Sequence, residues 1–191
     1  MKELEDKIRS EGIVDNENVL KVGSFLNHQI DVPFIEKCGQ EFYRLYKDDN
    51  VTKILTIEAS GIGVAVLAAL YFKVPVVFAK KSQSNNLTND VYTEPIESFT
   101  HGTTYHCMVE RRFLQPGDRV LILDDFLARG NALKGLIKMV NDSGADLVGC
   151  GIVIEKAYQD GGKRLRDQGI RVESLARIKS MSPETGVIFC D

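Results

Sequence analysis

Short unbroken runs of branched apolar residues recur along the chain, each followed by polar residues and then by apolar positions three and four apart. A run without alternation reads as a strand buried on both faces of a sheet, and the three-and-four spacing as the inner face of a helix. The clearest instance is Val120-Leu121-Ile122-Leu123, which meets Asp124 and Asp125 where the strand should end. A small-residue loop through Ala128 and Gly130 follows, and then a helix with Leu133, Leu136, Ile137 and Val140 on one face, predicted over 131–143 and stopped by Gly144. Ile54-Leu55-Thr56-Ile57 repeats the pattern, with Glu58 to Gly61 as its exit loop and a helix through Val64, Leu67, Ala68 and Tyr71. Pro75 to Ala79 reads as a strand ending at Lys80-Lys81, and Leu147 to Ile154 as one ending at Glu155-Lys156. Ile170 to Leu175 and Val187 to Cys190 are late strands. This alternation predicts an α/β fold, a central, mostly parallel sheet flanked by helices.

The remaining segments are less regular. A short helix through Leu4 and Ile8 is ended by Glu11-Gly12, and residues 18–31 follow without a clear period. Asp31 and Pro33 form a helix start, and Ile35, Cys38, Phe42 and Leu45 give that helix its buried stripe. Residues 81–90, KSQSNNLTND, read as a mobile loop, and 91–110 as an antiparallel hairpin turning at His101-Gly102. Together they read as a flexible flap beside a site. Gln115 to Asp118 is a turn, and residues 158–170 are a polar excursion with one short helix.

Composition narrows the partners rather than the fold. A chain of 191 residues with 43% hydrophobic and 27% charged residues fits one globular domain, 1–191. A net charge of -3 gives no support to a nucleic-acid surface. Cys38, Cys107, Cys150 and Cys190 are too widely spaced for a zinc or redox motif, and Cys38 and Cys150 fall at apolar positions expected to be buried. The charged start MKELEDKIRSEG lacks a signal-peptide core, and no apolar run approaches the roughly 18 residues that span a bilayer. A cytoplasmic protein is expected.

Candidate chemistry gathers at the strand ends. In an open parallel sheet ligands bind at the carboxyl ends of strands, and a helix N-terminus offers free N–H groups to an anion. Asp124 and Asp125 provide carboxylates for hydroxyls or a metal beside backbone amides for a phosphate, which fits a sugar phosphate. A magnesium-binding ATPase strand would also end in acids, but it needs a G-x-x-x-x-G-K-[ST] loop that this chain lacks. A structural turn cap accounts for one acid and not for both. Lys80-Lys81 reads either as a second anion site or as a solvated pair. Lys156 emerges from a buried run and needs an acceptor, for which Glu155 is the nearest candidate.

VLILDDFLARGNA resembles the motif with which type I phosphoribosyltransferases bind phosphoribosyl diphosphate (PRPP). LKVGSFLNHQID at 20–31, VPVVFAKK at 74–81, DDFLARGNA at 124–132, GIVIEKAYQ at 151–159 and RVESLARI at 171–178 resemble, in order, the Bacillus-type xanthine phosphoribosyltransferases of that family. The resemblance implies the type I fold, with a small hood from about 1–31 plus C-terminal parts and the flap at about 81–110. It implies transfer of phosphoribose from PRPP to N9 of xanthine with Mg²⁺ carried by PRPP, in a homodimer. Carried over by position, Ala128, Arg129, Gly130, Asn131 and Ala132 hold the 5′-phosphate, and Asp124 and Asp125 lie at the ribose hydroxyls as the catalytic pair. Glu58, Ala59, Ser60, Gly61 and Lys80 lie near pyrophosphate, and Leu20, Asn27 and Lys156 at the base.

Physical chemistry supports part of this assignment. Carboxylates stabilise an oxocarbenium-like ribosyl, and amides and lysines the departing pyrophosphate. Lys156 only donates hydrogen bonds, so beside C6 of a purine it favours an oxo group over adenine's amino group. Xanthine over guanine or hypoxanthine rests on the resemblance alone. Relative to the wider superfamily, Ala132 offers no hydroxyl to the phosphate and Ala128 stands where some relatives carry an Asp acting at N7 of the base. Xanthine is acidic enough to react as its anion. A guanine or hypoxanthine phosphoribosyltransferase, and a PRPP- or purine-sensing regulator without catalysis, are the alternatives.

Overall fold

The computed structural model describes residues 1–81, 90–97 and 104–191. Helix α1 (Lys2–Glu11) leads into strands β1 (Ile13–Asn16) and β2 (Val19–Lys21), a π-helical turn at Gly23–Asn27, and α2 (Val32–Tyr46). Then come β3 (Lys53–Ile57), α3 (Ser60–Phe72), β4 (Val76–Ala79), β5 (Val91–Glu97), β6 (Thr104–Glu110), β7 (Arg119–Leu127) and α4 (Asn131–Ser143). The chain ends with β8 (Asp146–Lys156), α5 (Gly161–Asp167), β9 (Val172–Ser182) and β10 (Gly186–Phe189).

The central sheet has six strands in the order β10-β9-β8-β7-β3-β4. All pair in parallel except β10, which runs antiparallel to β9. The uninterrupted apolar run of β7 has the expected cause. Leu121 and Leu123 face a core with α2 and α3, while Val120 and Ile122 face a second core with α4 and the hairpin. Two covered faces leave no position for a polar residue until the strand reaches its acids.

Element starts and stops follow local chemistry. The Asp31 carboxylate accepts from the Phe34 N–H at 3.2 Å and Pro33 lies in the first turn of α2. Gly144, at φ 73°, closes α4 where the sequence placed the stop. The predicted hairpin forms as β5 and β6, paired from Val91–Glu110 to Glu97–Thr104. Its turn at His101-Gly102 and most of the loop expected at 81–90 lie outside the described residues. Three expectations shift. Strand β7 continues beyond Asp124 and Asp125 to Leu127 because β8 remains paired with it there. The late strand from residue 170 extends to Ser182, and the aperiodic stretch 18–31 holds a strand and a π-helical turn.

The sheet contains one reversal of direction. From β3 the chain crosses by α3 to β4 on one side, and from β7 by α4 to β8 on the other. Strands β3 and β7 stay paired only as far as Leu55 and Ile122, then diverge. The crevice outside their carboxyl ends is the switch point at which open α/β sheets bind ligands.

Candidate functional site

Both predicted acids stand on that crevice. Asp124 is only 6% exposed. Its Oδ1 accepts the Asp125 N–H at 2.9 Å, and Asp125 Oδ1 accepts the Phe126 N–H at 2.9 Å. Burial, reinforced by the neighbouring Asp125 charge, pushes the Asp124 carboxyl well above the usual carboxylate range. The opposite wall is the loop after β3, which contains a cis peptide between Glu58 and Ala59. It approaches so closely that a Cβ on Gly61 would stand 3.1 Å from Asp124 Oδ1 and 2.1 Å from Thr56 Oγ1. Only glycine fits that position. Among the described residues the buried Thr56 hydroxyl has no hydrogen-bond partner.

Ser60 and Gly61 open α3, so its first amides face the same crevice as the acids. Glu58 Oε1 accepts the Lys81 N–H at 2.6 Å, and the backbone of Lys80 exchanges two hydrogen bonds of 2.9 Å with Met108 of β6. The lysine pair therefore joins the sheet edge to the hairpin, and Lys81 Nζ lies 5.2 Å from the centre of the Tyr105 ring.

Ala128 to Ala132 form the turn into α4. Gly130 adopts φ 82°, a left-handed conformation that suits glycine, and among the described residues no side chain caps the helix, leaving its first-turn amides open. Arg129 and Asn131 line a pocket of about 530 Å³ with Glu97, Tyr158, Gln159 and Arg164.

Lys156 follows burial as expected, since desolvation lowers its pKa from the ordinary lysine value. Glu155, the nearest candidate acceptor in sequence, is not its partner. Glu155 and Lys156 are successive residues of β8, so they project to opposite faces. Lys156 Nζ donates to the Asn18 carbonyl at 2.6 Å and lies 5.5 Å from the centre of the Phe126 ring. Glu155 instead receives Arg166 through both oxygens, at 2.9 and 2.7 Å, and the Ser174 hydroxyl at 2.6 Å.

Of the other two residues predicted at the base, Leu20 is buried against the core, and in β2 it pairs with Val14 of β1. Asn27 is exposed at the end of the π-helical turn, and no hydrogen bond joins it to Lys156 among the described residues. The structure thus gathers residues 58–61, Asp124 to Ala132 and Lys156 at one sheet edge, and brings the N-terminal segment there through Glu17 and Asn18. Tyr158 donates to the Glu17 carbonyl at 2.7 Å and Gln159 to Asn18 Oδ1 at 3.2 Å. Sequence reasoning missed Thr56, Phe126, Asn18, Tyr158 and Gln159. Phe126 alone carried a local signal, an aromatic directly after the acids. The others depend on contacts across as many as 141 residues.

A model of the phosphoribosyl transferase domain matches residues 28–177. The chain belongs to the phosphoribosyltransferase family. This phosphoribosyltransferase is 57% identical over 188 residues to the xanthine phosphoribosyltransferase of Lachnoclostridium phytofermentans, covering 98% of this chain and 97% of that one. It is 51% identical to the xanthine phosphoribosyltransferase of Pediococcus pentosaceus, covering 99% and 100% of the two chains. Among solved structures it is similar to the adenine phosphoribosyltransferases of Rhodothermus marinus (TM-score 0.74, 20% identity, 93% of this chain and 100% of that one) and Trypanosoma brucei (TM-score 0.76, 20% identity, 91% and 79%). At that identity the likeness shows the type I phosphoribosyltransferase fold and nothing of the base.

Proposed function

We propose that this phosphoribosyltransferase transfers 5-phosphoribose from PRPP to N9 of xanthine, giving xanthosine monophosphate and pyrophosphate in purine salvage. The observation that carries the phosphoribosyl half is the crevice itself, with the Asp124 carboxylate against the N-terminus of α3, Asp125 next to it on β7, and the N-terminus of α4 a short loop further on. Near full-length identity to named xanthine phosphoribosyltransferases supplies the choice of base. N9 bonds to C1′ as the C1′–O bond breaks, and the bonding pair leaves on a pyrophosphate oxygen. The base N–H proton passes to solvent.

The residues then act as follows. The amides of Ala128 to Ala132 hold the 5′-phosphate, with Arg129 adding charge. Residues 58–61 and Lys80 receive pyrophosphate. Asp124 and Asp125 hold the ribose hydroxyls and stabilise positive charge developing at C1′. Burial disfavours an ionised Asp124 in the free protein, and a cationic ribosyl reverses that preference where charge develops. Lys156 has three protons and gives one to Asn18, so it can donate to the purine 6-oxo group. Leu20 contributes its backbone and Asn27 its amide at the base. Among the described residues no three His, Cys, Asp or Glu gather as a metal cage. The hard oxygens of Asp124 and Asp125 nonetheless suit Mg²⁺, which they would hold together with PRPP and which would supply positive charge to the pyrophosphate.

Residues 1–31 with β10 serve as the hood, supported by the packing of α1 on β9 and β10, and residues 81–110 as the flap. A homodimer is supported by α3, which is apolar on every side yet leaves Val66 46% and Leu70 63% exposed. A cytoplasmic location is supported by four unpaired cysteines, as a reducing compartment keeps them.

The test supplies protein, Mg²⁺ and PRPP with xanthine, guanine, hypoxanthine or adenine, and follows nucleotide and pyrophosphate. Xanthine is expected to give the highest kcat/KM. A higher value with guanine or hypoxanthine would reassign the base, and saturable binding without product for any base would make the protein a sensor.

A further inference from the structure

Gly161 and Gly162 open α5 between two walls. A Cβ on Gly161 would stand 2.1 Å from the Ala128 carbonyl oxygen, 2.7 Å from the Arg129 carbonyl carbon and 2.9 Å from the Gly130 nitrogen. A Cβ on Gly162 would stand 2.1 Å from Glu155 Oε1 and 2.8 Å from Arg166 Nη1. Neither position tolerates a side chain without displacement. On one side of the pair is the backbone of the 5′-phosphate loop; on the other is a carboxylate that is 1% exposed and held by Arg166, Ser174 and Arg177. Burial opposes the charge on Glu155, but its hydrogen bonds to Arg166 and Ser174 and the Arg177 charge leave its pKa below the ordinary value. The carboxylate is therefore a fixed anion.

We propose that Glu155 is a positioning residue for the 5′-phosphate loop, acting through the wedge of Gly161 and Gly162. The inference rests on the reading of residues 128–132 as the phosphate cradle. Strand register supports it, because Glu155 pairs with Leu127, the residue before the loop. The clamp thus holds the loop both along the sheet and across α5. A fork of two parallel hydrogen bonds fixes direction as well as distance, and a loop that binds phosphate through backbone amides requires such fixity. Ala132 supplies no hydroxyl to share that work, so amide geometry carries more of the binding here. Lys156, next along the same strand, ties the base side to the same clamp.

The experiment measures ribose 5-phosphate binding by calorimetry, with urea unfolding alongside, for wild type, Glu155→Gln and Gly162→Ala. Gln keeps the shape of the side chain and loses its charge. Ala at 162 keeps every ionic partner and forces the clamp to move. Both variants are expected to bind ribose 5-phosphate roughly tenfold more weakly, a size typical of coupling between sites. A purely structural clamp would lower the urea midpoint and leave the affinity of the folded protein unchanged, and that result in Gly162→Ala overturns the proposal even if Glu155→Gln does not fold. Wild type that fails to bind ribose 5-phosphate refutes the assignment of the cradle instead.

Discussion

Asp124→Asn should make the protein more stable and nearly inactive, and the gain should depend on pH in a defined direction. The carboxyl is buried beside Asp125, so its folded-state pKa lies well above the 3.8 of an ordinary aspartate. Between those two values the folded protein keeps a proton that the unfolded chain has released. Wild-type stability therefore falls as pH rises through this window and levels off above it. The slope there approaches about 1.4 kcal/mol per pH unit, which for a chain of this size is about 3–6 °C of melting temperature per unit. Asparagine has no charge to desolvate and keeps an oxygen for the Asp125 N–H, so the variant escapes this loss. Melting curves of both proteins from pH 4 to 9 should converge at the acid end and separate as pH rises. In the PRPP-dependent assay the variant should lose most turnover, and Asp124→Asn with Asp125→Asn almost all of it. A melting difference independent of pH, or a variant less stable at neutral pH, would refute the account of Asp124. Full activity in the double variant would refute the roles of both acids.

Three further outcomes are expected. Lys156→Ala should lower the preference for xanthine over adenine about tenfold to hundredfold, read from kcat/KM for both bases, because one charged donor to the 6-oxo group is lost; unchanged selectivity would remove Lys156 from the base. With Ala128 in place of a carboxylate, the rate with xanthine should climb as pH passes the base's own ionisation, and a flat profile would mean that another group takes the proton. Leu70→Glu should convert a dimer to monomers in sedimentation experiments at micromolar concentration, and an unchanged sedimentation coefficient would place the interface away from α3.

The sheet was legible because β3, β7 and β8 are covered on both faces, so their apolar runs stand without alternation and their ends show as sudden polar residues. Helix α4 was legible to the residue, since the small-residue loop before Asn131 and the positive φ of Gly144 are local requirements. The segment at 18–31 was not. Its conformation is set by Lys156 and Tyr158 holding the Asn18 and Glu17 carbonyls across the fold, and no local period records a contact of that kind. The extension of β7 beyond its acids has the same cause, because pairing with β8 decides where the strand stops.

The misplaced Glu155 shows where adjacency in sequence deceives. An acid and a lysine side by side look like a pair, yet the alternation of a strand sends them to opposite faces, and each then meets partners drawn from elsewhere in the chain. Had they paired, Lys156 would be neutralised and turned away from the crevice. Their separation gives each a distinct task. Glu155 takes Arg166 and Ser174 on one face, against the start of α5; Lys156, on the other, lies beside Phe126 where burial lowers its pKa and the Asn18 carbonyl accepts from it. On the proposed roles, one strand of period two supplies an anion to the scaffold and a cation to the base, and exchanging the two residues should destroy both functions while preserving composition and net charge.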